Sequence, residues 1–218
     1  MKKISLIFFI AVLFNASSFA QDEKYTMAIQ SKLAMVDTMR NPTGLVALSA
    51  AFERIAEAEK TKWLPYYYAA LTQINAAYGI GMAKPDASKT DPMADKAEAL
   101  INKAAALSKD NSEIFIVKKM IASMRLMADP MSRYMTYGPV AEEALQTAMK
   151  LNPENPRVYL LQAEDKYFTP EQFGGSKEEA KKLFGKAIEK YEKFKPATSL
   201  DPVWGKSTAD YFLAEINK

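Results

Sequence analysis

The sequence predicts an all-α chain built as a solenoid of antiparallel helix pairs, and three observations carry that prediction. First, three segments repeat one spacing of small, large and small residues: Ala97, Ile101, Ala104; Ala141, Leu145, Ala148; and Ala180, Phe184, Ala187. Steps of four and then three residues set all three side chains on one helix face, with alanines where a second backbone comes close and a bulky plug between them. Second, Leu48, Phe52 and Ile55 repeat the spacing with larger end residues, a degenerate copy of the kind terminal repeats show. Third, Asn-Pro and Asp-Pro pairs at Asn41, Asp91, Asn152 and Asn155 punctuate the helical-period segments, with asparagine or aspartate as cap and proline in the first turn. About nine helices and no sheet are expected.

Residues 1–20 stand apart. Lys2 and Lys3 precede an apolar run from Ile4 to Phe14, and Ser18, Phe19 and Ala20 form a small-residue cleavage site, which together read as an export signal. The mature chain is expected to begin near Gln21 and to form one helical-repeat domain over 21–218. The apolar run is too short to span a bilayer, which needs about 20 residues.

The remaining elements follow in order. From Glu23 to Met39, Tyr25, Ala28, Ile29, Leu33, Val36 and Met39 keep the helical period and predict a capping helix. Asn41 and Pro42 restart the chain for the degenerate copy. Pro65 belongs in a first helical turn, so the next helix is expected to start near Thr61 or Lys62. In it Trp63, Tyr67, Leu71, Ile74 and Tyr78 share a face, while Tyr66 and Tyr68 point elsewhere. Three adjacent tyrosines are therefore not all expected in the core. Met82 to Asp91 reads as a polar linker, with Asp91 and Pro92 capping the helix of Ala97.

A partner helix is expected from Ser112 to Ala128, apolar around most of its circumference. Asp129 to Pro139 reads as a long connection, more than two packed helices need. After Ala148, Asn152 and Pro153 stop the helix, and the next runs from about Pro156 to Tyr167. Thr169 to Gly175 breaks the chain before Ser176, which with Glu179 forms a capping box. Lys195, Pro196, Asp201 and Pro202 end that unit, and Trp204, Tyr211, Phe212, Leu213 and Ile216 predict a final closing helix.

Paired antiparallel helices with small, large, small on the second and a proline after it resemble the tetratricopeptide repeat. The large positions Phe52, Ile101, Leu145 and Phe184 lie 49, 44 and 39 residues apart, against about 34 for that repeat, so the loops vary. The segments Phe52 to Leu71, Arg133 to Pro139, Asn152 to Asp165 and Thr169 to Gly175 are similar to a family of small exported bacterial proteins with tetratricopeptide-like repeats. The resemblance implies a helical array and no assigned reaction.

Composition narrows the chemistry. The chain has no histidine and no cysteine, which removes Ser-His-Asp and Cys-His triads, histidine and thiolate metal sites, disulfides and a lipid-bearing cysteine after the leader. The 29 basic residues less the two leader lysines leave 27 against 26 acidic, so no nucleic-acid surface is implied. No cofactor or metal motif appears. Glu53 and Glu57 are four apart, but with Lys60 nearby they read as a solvated ion-pair face. The charged helix after Ser176 reads the same way. Gly174 and Gly175 lack the strand and lysine of a phosphate loop and read as a turn, and the methionines read as core filling.

Aromatic and arginine side chains are common binding anchors, and the candidates are Tyr66, Tyr68, Arg133, Tyr134 and Tyr137. The expected function is a non-catalytic exported scaffold binding a protein or peptide in the cell envelope, in a periplasm or secreted. The alternatives are a small-molecule binding module serving an envelope transporter and, more weakly, a carboxylate enzyme needing two acids about 5 to 10 Å apart.

Overall fold

A computed structural model describes residues 22–218; the export signal lies outside them. The described residues form nine α-helices and no strand. They are α1 (22–38), α2 (Pro42–Glu59), α3 (Trp63–Gly81), α4 (Ala87–Leu107), α5 (Ser112–Ala128), α6 (Pro130–Leu151), α7 (Pro156–Phe168), α8 (Lys177–Lys193) and α9 (Lys206–Ile216). A 3-10 turn, Glu171–Phe173, lies before α8.

Polar side chains fix the helix starts by accepting from amides that have no partner inside the helix. Asn41 accepts from the Gly44 amide, Asn111 from Glu113, Asn155 from Arg157 and Ser176 from Glu179. Pro65 sits in the first turn of α3, as expected. The Ser176 box closes in one direction, because the Glu179 carboxylate turns to Lys166 at 2.9 Å.

The helices pair as α3 with α4, α5 with α6 and α7 with α8, and α9 packs on α8. The small, large, small residues lie where the pairs close: Ala97, Ile101, Ala104, Leu145, Ala148, Ala180, Phe184 and Ala187 are buried at 1% exposure or less, and Ala141 at 7%. First helices are the inner layer. In α3 only a few residues keep any surface, because α2, α4, α5 and a C-terminal segment surround it.

Three expectations fail. The Asp129 to Pro139 stretch is not a connection but the first half of α6. Asp129 caps it by accepting from the Ser132 amide, Pro130 takes the first turn, and Pro139 sits inside the helix. That stretch is mostly exposed, so water serves the carbonyl that loses its amide partner at Pro139. Likewise α4 begins at Ala87 under an Asp86 cap, with Pro92 tolerated near its start. Trp204 precedes the last helix instead of belonging to it: residues 194–205 run as a non-helical strap before α9.

Candidate functional site

Tyr66, Tyr67 and Tyr68 are all buried, at 5%, 0% and 2% exposure, which corrects the reading that they could not all be core. Successive helix positions turn by roughly 100°, and α3 meets a different neighbour in each direction. The Tyr66 hydroxyl donates to Glu57 at the end of α2 at 3.2 Å, and Lys103 of α4 lies 5.3 Å from its ring. Tyr67 donates to Glu113 of α5 at 2.9 Å. Tyr68 stacks on Phe52 at 5.2 Å and donates to the Leu200 carbonyl at 2.7 Å. Burial pushes the Tyr67 phenol well above its ordinary range, with the Glu113 charge adding to it.

Arg133 and Tyr137 sit together on the inner side of α6. Arg133 forks onto both oxygens of Asp91 at 2.7 and 2.8 Å and donates to the Arg125 carbonyl at 3.1 Å; its hydrogen bonds hold the Asp91 carboxyl below its usual value. The Tyr137 ring lies 5.8 Å from the Arg125 guanidinium. Tyr134 is 61% exposed on the outer side, next to Met131 and Met135 at 89% and 81%. Tyr66 meets α4 at Lys103 and Arg133 meets it at Asp91, twelve residues or about 18 Å apart along the helix. Tyr66 and Tyr68 therefore share no surface with Arg133, Tyr134 and Tyr137.

Of these α6 candidates Tyr137 alone borders a groove of about 280 Å³ between α4 and α6, floored by α5. Phe115, Ile121 and Ala122 form its apolar floor; Tyr137, Val140 and Ala144 form one wall. Small side chains at 122 and 144 leave the space open. From Phe115 to Arg125 the floor is about 15 Å long. Two cations border it. Arg125 is held by Asp95 at 2.8 Å and Glu98 at 2.7 Å, while Lys118 has no carboxylate partner among the described residues and lies 5.6 Å from the Phe115 ring. A second recess, about 350 Å³, opens between Tyr25, Trp63, Leu64 and Leu200, but its Lys62 is engaged by Asp22 at 3.2 Å.

The most heavily bonded polar centre lies elsewhere and carried no sequence signal. Arg157, near the start of α7, has no exposed surface. Its guanidinium meets Glu113 at 3.0 Å, donates to the Pro202 carbonyl, and lies 5.1 and 5.3 Å from the rings of Phe194 and Trp204. Asn155 donates to the same Glu113 at 2.7 Å and to Ser112 at 3.0 Å. A buried charge is tolerated only when paired and hydrogen-bonded, and this one is so placed on three sides. The proline after Asn155 marks a helix start, yet nothing local distinguishes Arg157 from a surface arginine.

Glu164 on α7 is the described carboxyl group displaced furthest upward. Burial raises it to about 7, partly opposed by Lys119 and reinforced by Asp165. Lys119, itself 4% exposed, pairs with Asp165 at 2.6 Å, so the nearest cation is already engaged. Glu53 and Glu57 form ion pairs across to α4, with Lys96 at 2.9 Å and Lys103 at 2.6 Å, in place of Lys60. Among the described residues no group of three or more acidic, histidine or cysteine side chains is arranged to hold a metal, and no helix is long and apolar enough to cross a membrane.

No protein-family model and no curated protein matches the chain. Among solved structures it is similar to the HusA haemophore from Porphyromonas gingivalis, with 35% sequence identity, a TM-score of 0.77, and coverage of 88% of this chain and 92% of that one.

Proposed function

The chain belongs to the family of the HusA haemophore, and from that premise we propose that it is an exported, non-catalytic carrier of a flat apolar ligand bearing carboxylates, a porphyrin by class. The observation that carries this reading is the α4–α5–α6 groove. It combines an apolar floor, an aromatic wall at Tyr137 and a lysine free to meet a carboxylate. Ligand sites of this kind are apolar clefts with few, well-placed polar groups. At about 280 Å³ the groove falls just below the roughly 300–1,000 Å³ usual for ligand sites, so the ligand keeps one edge in solvent.

The residues fit the macrocycle. The chain has no histidine or cysteine and no methionine lines the groove, so of the usual side-chain ligands to haem iron only the Tyr137 phenol is present on its wall. Phe115, Ile121 and Val140 would hold the ring by contact, and Lys118 would meet a propionate. Ring contact and the lysine do not involve the metal, so metal-free protoporphyrin is expected to bind too, and haem at least as tightly. The helix pairs are themselves derived, in this reading, from tetratricopeptide repeats.

The test is a titration of the mature protein with protoporphyrin IX and with haem, followed by absorbance and tryptophan quenching. Val140 is 50% exposed, so Val140→Asp leaves the fold intact while placing a charge on the wall. Binding at least tenfold weaker in Val140→Asp, for both ligands, is the expected result. Absence of saturable binding by the wild type overturns the reading.

A further inference from the structure

We propose that the recess of about 350 Å³ at the start of α3 is a second binding site, built for a small monocarboxylate with a flat apolar body, an aromatic carboxylate by class. The proposal is independent of the porphyrin reading, since this recess and the groove between α4 and α6 share no lining residue.

Two independent features supply the donors. The first is the start of α3, a helix of 19 residues with Lys62 at its cap position and no side-chain cap. The Trp63 and Leu64 amides have no acceptor among the described residues, and Pro65 brings no amide at all. These two are therefore the open donors at the positive end of the helix dipole, and both residues line the recess. The second feature comes from α1. Tyr25 lines the same recess and is only 7% exposed, yet its hydroxyl neither bonds to a described group nor is sealed from solvent. Burial pushes this phenol up to about 12, so it keeps its proton and can donate. Polar groups on nearly buried side chains are as a rule paired, and this one is left for an acceptor that enters the recess.

Charges and walls decide the class of ligand. The Lys62 ammonium lies 5.5 Å from the Tyr25 ring, and its pair with Asp22 at 3.2 Å is exposed on both sides. Exposed pairs contribute little, so this cation can turn to a ligand carboxylate. The carboxylates of Glu59, Asp201 and Asp22 also act on Tyr25, which favours a ligand with one negative charge over one with two. Asp201 is in part occupied, accepting from the Thr198 amide at 2.6 Å. The body of the ligand meets Leu64, Leu200 and the Trp63 ring. That wall is formed in advance: the Leu200 amide donates to the Thr198 hydroxyl at 3.2 Å, closing the turn that carries it. An apolar cleft of this volume, with a few converging donors at one end, matches the usual make-up of a small-molecule site.

The experiment follows the nitrogen–proton correlation NMR signals of the full mature chain during titration with benzoate, with its neutral isostere benzamide and with inorganic phosphate. Benzoate is expected to give saturable shifts at the Trp63 and Leu64 amides and the Trp63 indole, with a dissociation constant on the order of millimolar. Benzamide should bind about tenfold more weakly, since it offers the ammonium no charge. Phosphate, with no apolar body and a second charge, should also bind more weakly than benzoate. Tyr25→Phe should weaken benzoate about fivefold, the loss of one hydrogen bond. Lys62→Gln, at an exposed position that leaves the fold intact if Tyr25→Phe does not, should remove the preference for benzoate over benzamide. The proposal is overturned if benzoate leaves these signals unmoved or moves those of Phe115 and Tyr137 instead. Benzamide or phosphate binding as tightly as benzoate overturns it too, as does undiminished affinity in a folded Tyr25→Phe.

Discussion

The indole N–H of Trp204 donates to the phenol oxygen of Tyr67 at 2.8 Å across 137 residues of sequence, and Tyr67 in turn donates to Glu113 at 2.9 Å. One hydroxyl therefore joins the strap to the inner helices α3 and α5. Tyr67→Phe leaves the indole and a carboxylate oxygen unmatched and should cost about 1 to 3 kcal/mol in chemical denaturation. Trp204→Phe, which keeps a ring beside Arg157, should cost about 1 kcal/mol. The two losses should fall short of additive, since both remove the same bond.

Ala148 and Ala187 have no exposed surface, and each sits where two helices close. Leucine at either position inserts volume with no space to receive it. A loss of about 1 to 3 kcal/mol is expected. Unfolding midpoints that do not move in both variants would show that the small, large, small register does not set the pairing.

Glu164 makes stability depend on pH. Its carboxyl is raised to about 7 by burial in the folded chain, against an ordinary value of 4.5. Below the ordinary value it is protonated in both states and costs nothing. As pH rises from there to about 7, the unfolded chain holds fewer protons, so stability falls, and the full penalty applies above that window. Glu164→Gln should therefore raise stability at pH 8 by up to roughly 3 kcal/mol and leave it unchanged at pH 4. An equal effect at both values would exclude titration as the cause.

On α6, the fork of Arg133 onto Asp91 should matter to the fold and Tyr134 should not. Arg133→Ala removes a two-point ion pair that ties the first half of α6 to α4 and is expected to cost about 1 kcal/mol. Tyr134→Ala removes an exposed ring and should stay within about 0.5 kcal/mol. Thermal unfolding of both variants separates the roles; the reverse order would mean that the outer side of α6 is packed.

Periodicity exposed the array because it is a local property: Ala97 and Ile101 lie one turn apart, and their shared burial follows from spacing alone. The bounds of α5 and the first-turn place of Pro65 follow equally from local rules. The three tyrosines of α3 were misjudged because a helix buried on one stripe was assumed, and only the fold shows that four neighbours surround α3. The stretch from Asp129 to Pro139 reads as a connection but is helix, since an exposed helix can surrender one hydrogen bond to water at Pro139. Of the groove, Tyr137 was singled out, but Phe115, Lys118 and Arg125 lie along about three turns of α5, a helix whose nearly all-round apolar pattern marks it as covered without marking a groove. Arg157 and the strap were invisible for a different reason, because the pairing of residues 67, 113, 157 and 204 exists only once distant segments meet.

The strap also fixes when the molecule can be finished. Tyr67, Tyr68, Arg157 and Tyr191 wait for atoms of residues 200–204, so the inner helices keep open polar ends until nearly the whole chain is available. Contacts this remote in sequence form late and slowly. A chain built up from its N-terminus thus stays incompletely locked until residues 200–204 are available, and tightens only then.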